Sequence, residues 1–140
     1  MDQIVGTWRL KAAWASSGSD RNDAPYGPEP SGLLTYTSDG RVMAIISHSG
    51  RKPLASGDRI SASIDERAEA FATSFSNAGR YSLAGDKIVH PVEIASVQNW
   101  VGTDLLRLVQ LENDKIILIT PPLSVAGQTR TTELVWERVK

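Results

Sequence analysis

The sequence predicts an all-β protein, an eight-stranded antiparallel barrel with one short inserted helix. Three observations lead to this fold class. Short runs of alternating apolar and polar residues recur along the 140-residue chain, as in strands that bury one face. Turn-forming residues separate these runs at regular intervals, and one segment has a helical period instead. A closed barrel is favoured over an open sheet because closure leaves no unpaired edge strand.

The first part of the chain reads as a strand, a long loop and a hairpin. In residues 7–14, one predicted face carries Trp8, Leu10, Ala12 and Trp14. Residues 15–32 are rich in Ser, Gly, Pro and Asp, which indicates a loop long enough to lie over a functional opening. Residues 33–46 hold two β-rich runs around Ser38-Asp39-Gly40, which is the signal of a hairpin.

The period changes after the polar residues 47–62. Ser63 and Glu66 have the spacing of a capping box, in which each side chain bonds to the backbone of the other residue. A helical stripe of apolar residues follows, formed by Ile64, Ala68, Phe71 and Phe75. We therefore predict a helix at about 64–76, ended by Asn77 or Gly79, whose stripe covers the open end of the barrel.

The chain beyond this helix returns to the alternating pattern. Strands are predicted at 79–83, 87–95, 105–111, 115–120 and 131–139. Turn residues at 84–86 and 112–114 join two hairpins, and 96–103 is a connection. Pro121-Pro122 is predicted to end a strand, and residues 123–130 are predicted to form a loop.

Composition narrows the function classes for what we expect to be a single domain, residues 1–140. The formal net charge is −1 and basic residues are dispersed, so we expect no binding to nucleic acid. No apolar run is long enough to cross a bilayer, and the amino terminus lacks the pattern of a secretory signal. With no cysteine, the chain fits the cytoplasm. We expect a monomer or a homodimer.

No cofactor or metal is expected. The two histidines, His48 and His90, have no third ligand at a suitable spacing, and no glycine-rich turn opens a helix as nucleotide sites require. His48 also has no acidic partner that would orient it in a catalytic triad, and we interpret it as a solvated loop residue.

Six segments of the chain together resemble the lipocalin-like domain family of bacteria and fungi. They are GTWRL, YGPEPSGLLTYTSDGRVMAII, AGRYSL with DKIVHPVEIA, NWVGTDLLRLVQL, KIILITPP and ELVWERV. The resemblance covers nearly the whole chain and implies a small lipocalin-like barrel around a ligand pocket. It also implies that Arg138 stacks over Trp8 at the closed end as a structural cation–π pair.

His90 is the first candidate for chemistry. Ile88, His90, Val92 and Ile94 alternate onto one predicted face, which is apolar except for the histidine. A buried imidazole needs hydrogen-bond partners, and its ordinary pKa lies near working pH. It would therefore bind a ligand or act as a general acid–base. The alternative is a core histidine satisfied by a backbone carbonyl or a tyrosine hydroxyl.

Arg107, Tyr81 and Tyr36 are the next candidates. Arg107 shares a face with Leu105 and Val109, which predicts that its guanidinium lies inside the barrel. A buried guanidinium needs an anionic or carbonyl partner, either a ligand carboxylate, phenolate or enolate, or Glu93 or a loop carbonyl. The two tyrosines would aim hydroxyls at the same cavity or pack in the core.

The remaining candidates are apolar or aromatic ligand contacts. Trp14 and Trp136 have the inward parity in their strands, and Trp100 would rim the mouth. Phe71 and Met43 complete the predicted lining of the pocket. Bulky filling of the barrel is the alternative role for the tryptophans.

Three functions remain open at this stage. The barrel would bind a small hydrophobic or aromatic metabolite that carries a carbonyl or carboxylate. Alternatively, it would be a cofactor-independent isomerase, cyclase or dehydratase of a polyketide-like biosynthetic pathway, a part of secondary metabolism. His90 would then be the general acid–base and Arg107 the anion stabiliser, with Tyr81 beside them. The third possibility is a filled barrel with a structural role.

Overall fold

The computed structural model describes residues 2–17, 20–125 and 128–140. The strands are β1 Gly6–Ser17, β2 Asp20–Asp23, β3 Ser31–Tyr36, β4 Arg41–Ser47, β5 Ser74–Arg80, β6 Ser82–Ala84, β7 Lys87–Ala95, β8 Asp104–Glu112, β9 Lys115–Val125 and β10 Gln128–Arg138. The helix α1 spans Ile64–Ala72, and short 3₁₀ helices span Asp2–Ile4 and Gln98–Trp100. Within these residues, no helix has the length and apolar character that a membrane crossing requires.

Eight of the strands form a closed antiparallel ring. Its order is β1-β3-β4-β5-β7-β8-β9-β10, and β10 pairs back to β1. Strand β2 pairs with β1 beside the ring, and β6 pairs with β7. The predicted eight-stranded barrel with one helix is thus confirmed.

The closed end of the barrel is built around Trp8. The guanidinium of Arg138 lies 4.2 Å from the centre of the Trp8 ring, as the resemblance implied, and the indole nitrogen donates to the carbonyl of Ile4 at 2.9 Å. Gly6 makes this possible because its φ is +133° and a β-carbon there would lie 2.7 Å from Arg138 Nη1. The pair therefore fastens β10 to the start of β1 and completes the ring.

A bulge in β1 corrects the predicted face of Trp14. The register against β10 shifts between Leu10 and Ala12, and from there on Ala13 and Ala15 are the buried residues. An extra residue in one strand inverts the inward and outward alternation that follows it. Trp14 therefore lies on the opposite face from Trp8, and its predicted inward parity is wrong. Trp136 is buried as expected.

Two predicted loops are partly strand. Residues 15–17 continue β1 and residues 20–23 form β2, whereas positions 18 and 19 lie outside the described residues. The second predicted loop, residues 123–130, is also largely strand. β9 continues through Pro121-Pro122 to Val125, and β10 begins at Gln128, with positions 126 and 127 outside the described residues. The register between β9 and β10 shifts opposite the prolines, which lack N–H donors. The pairing of the two strands is irregular there but continues on both sides.

The helix begins as predicted and ends early. Ser63 and Glu66 form the capping box, but the helix stops at Ala72, with Thr73 as its C-cap. Phe75 instead lies in β5, where it pairs with Ile46. Strand pairing outweighs the coincidental helical spacing of Phe75. The helix buries none of its residues, and Phe71 is 55% exposed, so the predicted apolar cover over the barrel end is wrong.

Candidate ligand site inside the barrel

Strand β7 carries His90 into the barrel interior. Ile88, His90 and Val92 are buried, whereas the intervening Pro91 and Glu93 are exposed. Leu105 of β8 lies opposite His90 in the ladder. The imidazole is 6% exposed, so its polar atoms depend on partners inside the barrel.

Tyr36 is the hydrogen-bond partner of His90. Its hydroxyl, on the buried side of β3, lies 2.8 Å from His90 Nε2. Because that hydroxyl has no other acceptor in the described part of the chain, we assign its proton to the bond with Nε2. The neutral imidazole then carries its own proton on Nδ1, as a hydrogen-bond donor.

Burial keeps this imidazole neutral. Burial, together with the smaller effect of the positive charge of Arg107, lowers the pKa of His90 from its ordinary value of 6.5 to about 4. At neutral pH the ring is therefore a neutral donor and acceptor instead of a cation.

Nδ1 of His90 has no hydrogen-bond partner in the described residues. It is also not fully sealed, in contrast to Arg130 Nε and Trp136 Nε1, the buried side-chain nitrogens of those residues that lack a partner. An oxygen atom of a water molecule or a ligand would accept its proton.

Arg107 lies on the neighbouring strand and points to the same interior. It pairs with Ile88 across the β7–β8 ladder, one inward position from His90. Its Nη1 donates to the carbonyl of Leu106 at 2.8 Å, and no carboxylate of the described residues forms an ion pair with it. Glu93, one of the partners considered from sequence, lies outside the barrel, 2.7 Å from Arg41. The carbonyl partner is in strand β8 itself and not in a loop as considered from sequence, and the charge has no counter-ion in the described residues.

The Arg107 charge acts on three interior rings. The pKa of Arg107 itself is lowered by burial, which outweighs the opposite effects of Tyr26 and Tyr36. Burial raises the pKa of both tyrosines, and Arg107 opposes that change in each. These mutual effects place Arg107, His90, Tyr26 and Tyr36 in one electrostatic cluster, which we call the interior polar cluster.

The barrel wall is incompletely paired beside Arg107. The ladder between β8 and β9 extends from Glu112 and Lys115 to Leu108 and Ile119. Within the described residues, no ladder pair joins residues 104–107 to β9. Pro121-Pro122 follows on β9 at this level and lacks N–H donors, which explains why the pairing stops there. The carbonyl of Leu106 is instead bonded by the Arg107 guanidinium.

Tyr81 packs against the Tyr36 ring of this cluster. Its hydroxyl donates to the carbonyl of Thr37 at 2.8 Å, and its ring meets the Tyr36 ring edge-on, with centroids 4.8 Å apart. The hydroxyl is thus directed to the backbone, and the ring holds Tyr36 in place.

An aromatic row that sequence reasoning largely missed lies toward the opposite end from Trp8. Tyr26 stacks on His48 at 5.0 Å between centroids and meets Phe75 edge-on at 5.4 Å, and Phe75 meets Trp100 edge-on at 5.7 Å. The loop around Tyr26 is held by Ser49, whose backbone N–H donates to the Tyr26 carbonyl at 2.9 Å. His48, expected as a solvated loop residue, is half-buried in this row.

Three predicted ligand contacts lie away from this interior. Alternation in β4 turns Val42, Ala44 and Ile46 inward, so Met43 is 53% exposed on the outer wall. There it lines a shallow groove of about 460 Å³ between β3, β4, β5 and β7. Trp14 faces outward because of the β1 bulge, and Phe71 lies on the exposed helix. The outer groove contains no titratable side chain and is separate from the interior polar cluster.

The interior polar cluster supplies hydrogen-bond donors, and it does not supply a set of metal ligands. In the described residues no three His, Asp or Glu side chains lie close enough to hold a metal ion. The interior instead offers the charged guanidinium of Arg107 and the Nδ1–H of His90, with aromatic rings beyond them. Such a set can hold an oxygen atom of a small molecule by charge and by a hydrogen bond.

The sequence model of the lipocalin-like domain matches residues 5–139. The chain belongs to the lipocalin-like domain family. This agrees with the closed ring and with the position of Arg138 over Trp8, and it confirms the resemblance drawn from the sequence.

The lipocalin-like domain is also similar to part of a named carrier protein. Over 54 residues it is 33% identical to the 4′-hydroxy-3′-methoxypropiophenone carrier protein of Aspergillus oryzae. This stretch covers 38% of the chain, and the lipocalin-like domain spans about half the length of that curated relative, 49%.

Among solved structures, the crystal structure of Rv2717c from M. tuberculosis aligns with 99% of the lipocalin-like domain and 94% of its own chain. The identity is 12% and the TM-score is 0.32, a similarity too low to support an argument about fold or function.

Proposed function

We propose that this lipocalin-like domain binds a small hydrophobic or aromatic metabolite inside its barrel and carries it by a carbonyl or carboxylate oxygen. The observation that carries the proposal is Arg107, a half-buried guanidinium on the inner face of β8 that lacks a carboxylate partner in the described residues. A buried charge that is not matched within the protein is costly unless a ligand completes it.

His90 supports the same function as a second anchor. Its Nδ1–H has no acceptor in the described residues, and the bond from Tyr36 fixes the ring orientation. A neutral donor beside a cation suits a carbonyl or carboxylate oxygen with two acceptor directions.

The apolar part of the ligand would contact the aromatic row. Phe75 contacts both Tyr26 of the interior polar cluster and Trp100, so a flat ring could stack against these side chains. The name of the Aspergillus oryzae relative describes the carriage of an aryl ketone with a phenol, a molecule of this chemical kind.

The proposal is tested by calorimetric titration with 4′-hydroxy-3′-methoxypropiophenone. We expect one saturable site per chain. Arg107→Gln should weaken binding at least tenfold, because a charged hydrogen bond contributes roughly 1.5–3 kcal/mol. Met43→Ala is the control on the outer groove and should leave the affinity unchanged. Binding that Met43→Ala abolishes and Arg107→Gln spares would place the ligand outside and contradict the proposal.

Catalysis by the same cluster is the second candidate, favoured by the direct bond between Tyr36 and His90. In this reading the barrel would be a cofactor-independent isomerase, cyclase or dehydratase, with His90 as base and Arg107 stabilising an enolate. The lowered pKa of His90 makes the ring a weak base and a poor acid at neutral pH, which favours carriage over proton transfer.

The two candidates differ in what the domain does to a bound carbonyl compound. Incubation of 4′-hydroxy-3′-methoxypropiophenone in D₂O, followed by NMR, measures exchange of the protons next to the ketone. Carriage predicts no acceleration over buffer. Exchange that is accelerated by the wild type and lost in His90→Gln would support the enzyme instead. A cytoplasmic location and a monomeric or homodimeric state stay predictions.

A further inference from the structure

We infer that the ligand's polar end is bound as an anion, so that the site selects ionised aromatic acids over neutral carbonyl compounds of the same shape. This inference rests on the proposed function and narrows its ligand class to carboxylates, phenolates and similar anions. Its basis is the charge balance of the barrel interior.

The carboxylates of the described ion pairs are engaged elsewhere on the molecule. Glu93 pairs with Arg41 on the outer wall, and Asp114 pairs with Lys140 at the closed end, each at 2.7 Å. Asp23 pairs with Arg130 at 2.7 Å. None of these carboxylates reaches Arg107 within ion-pair distance, so its positive charge is not cancelled by a described residue.

The neighbours of Arg107 do not supply a negative charge either. Tyr26 and Tyr36 would neutralise it only as tyrosinates, but burial raises the pKa of both phenols. The His90 ring carries no charge at neutral pH and donates a hydrogen bond through Nδ1. The carbonyl of Leu106 provides a dipole at 2.8 Å from Nη1 and no net charge. The cluster therefore carries a net charge of about one positive unit at neutral pH.

A neutral ligand would leave this charge uncompensated on the half-buried inner face of β8. A carbonyl oxygen would form the hydrogen bonds, but an anion would form the same bonds and also balance the guanidinium. The difference between the two is largest where water is scarce, because the Coulomb interaction is weakly screened there. The incompletely paired wall at residues 104–107 places this charge beside a stretch of strand without a ladder partner in β9.

Two matched fluorescent probes separate charge from shape. 1-Anilinonaphthalene-8-sulfonate is an aromatic anion, and N-phenyl-1-naphthylamine is the same ring system without the sulfonate. Both are titrated into the intact chain and into Arg107→Gln, with Arg9→Gln as the control for an exposed arginine on the outer face of β1.

We expect the anion to bind the wild type roughly 10- to 100-fold more tightly than the neutral probe, and Arg107→Gln to remove that preference. Arg107→Gln should leave the affinity for the neutral probe within about threefold, which also shows that the variant is folded. Arg9→Gln should change neither affinity.

Each other outcome is decisive. Equal affinities of the wild type for both probes would overturn the inference and leave the proposed apolar pocket in place. A preference for the anion that survives in Arg107→Gln would overturn it as well, because the charge would then lie elsewhere. Saturable binding of neither probe would overturn the proposed function itself.

Discussion

At the scale of single residues, the state of His90 depends on its surroundings more than on its own chemistry. The Tyr36 hydroxyl fixes one ring nitrogen, and burial together with Arg107 disfavours a second proton. The ring is therefore held as a neutral donor whose Nδ1–H has no acceptor in the described residues. This arrangement lowers folding stability in acid, because a proton must then be placed on a buried group.

This cost predicts an acid sensitivity between about pH 6.5 and pH 4. The pKa of His90 is about 4 in the folded chain and about 6.5 when exposed, so the unfolded chain binds more protons in this window. Folding stability is complete above the window and falls as pH decreases through it, by about 3 kcal/mol. Denaturant unfolding at pH 7.5 and pH 4.5 measures this loss.

The two histidines of the chain give that experiment its controls. His90→Gln should lose most of the pH dependence in the window, whereas His48→Gln should retain it. An equal pH dependence in the wild type and His90→Gln would contradict the assignment of a buried neutral ring.

Tyr36 and Tyr81 should differ in function although they are buried side by side. Tyr36→Phe loses the hydroxyl bond to His90 and Tyr81→Phe loses the hydroxyl bond to the Thr37 carbonyl, each at a cost of about 1 kcal/mol in unfolding free energy. Tyr36→Phe should also weaken ligand binding by roughly threefold to tenfold, because it releases the His90 ring. Tyr81→Phe should leave affinity unchanged. Calorimetry and denaturant unfolding measure both effects, and an affinity loss confined to Tyr81→Phe would reverse the assigned roles.

At the scale of elements, the sequence predicted strands better than it predicted their faces and ends. Alternation placed His90 and Arg107 on inner faces because β7 and β8 are regular where these residues lie. The same rule failed for Trp14, since a bulge leaves no mark in the alternation before it. Tyr26 was missed because it lies in a loop, where no period indicates direction.

The helix has one end that the sequence predicts and one end that it does not. Ser63 and Glu66 specify its start by local hydrogen bonds, so that boundary was predictable. Its end is set by the pairing of β5 with β4, a contact between distant parts of the chain that sequence spacing does not contain.

Phe71 and Phe75 provide a direct test of where the helix ends. Phe71→Ala should change the unfolding free energy by less than about 0.5 kcal/mol, since the ring is exposed. Phe75→Ala should cost about 2–3 kcal/mol and weaken ligand binding, because it removes the contacts to Tyr26 and Trp100. Denaturant unfolding measures both variants. A larger cost for Phe71→Ala would show that the helix packs on the barrel.

At the scale of the whole molecule, one end of the barrel is fastened and the other is where the aromatic row lies. Trp8, Arg138 and Gly6 close the ring between β1 and β10. The interior polar cluster joins the aromatic row through Tyr26, which belongs to both. Stability and binding are therefore assigned to different parts of one small barrel.

A pair of glycine variants tests the fastening. Gly6→Ala and Gly40→Ala both place a β-carbon at a positive φ, +133° and +91°, but only at Gly6 does the new atom meet Arg138 Nη1, at 2.7 Å. Gly40→Ala should cost about 1 kcal/mol from backbone strain alone, and Gly6→Ala about 1–2 kcal/mol more. Thermal unfolding should show a melting temperature lower for Gly6→Ala by several degrees. Equal losses of stability in the two variants would mean that the Arg138 side chain moves aside without a cost in free energy.

The most direct test of the central claim is the nitrogen NMR spectrum of the two histidine rings, recorded at pH 6 with and without 4′-hydroxy-3′-methoxypropiophenone. The structure predicts that His90 is a neutral ring protonated on Nδ1, that it stays neutral to about pH 4, and that its Nδ1 signal moves when the ligand binds. A His90 ring that gains its proton near pH 6.5 and does not respond to the ligand would contradict the account.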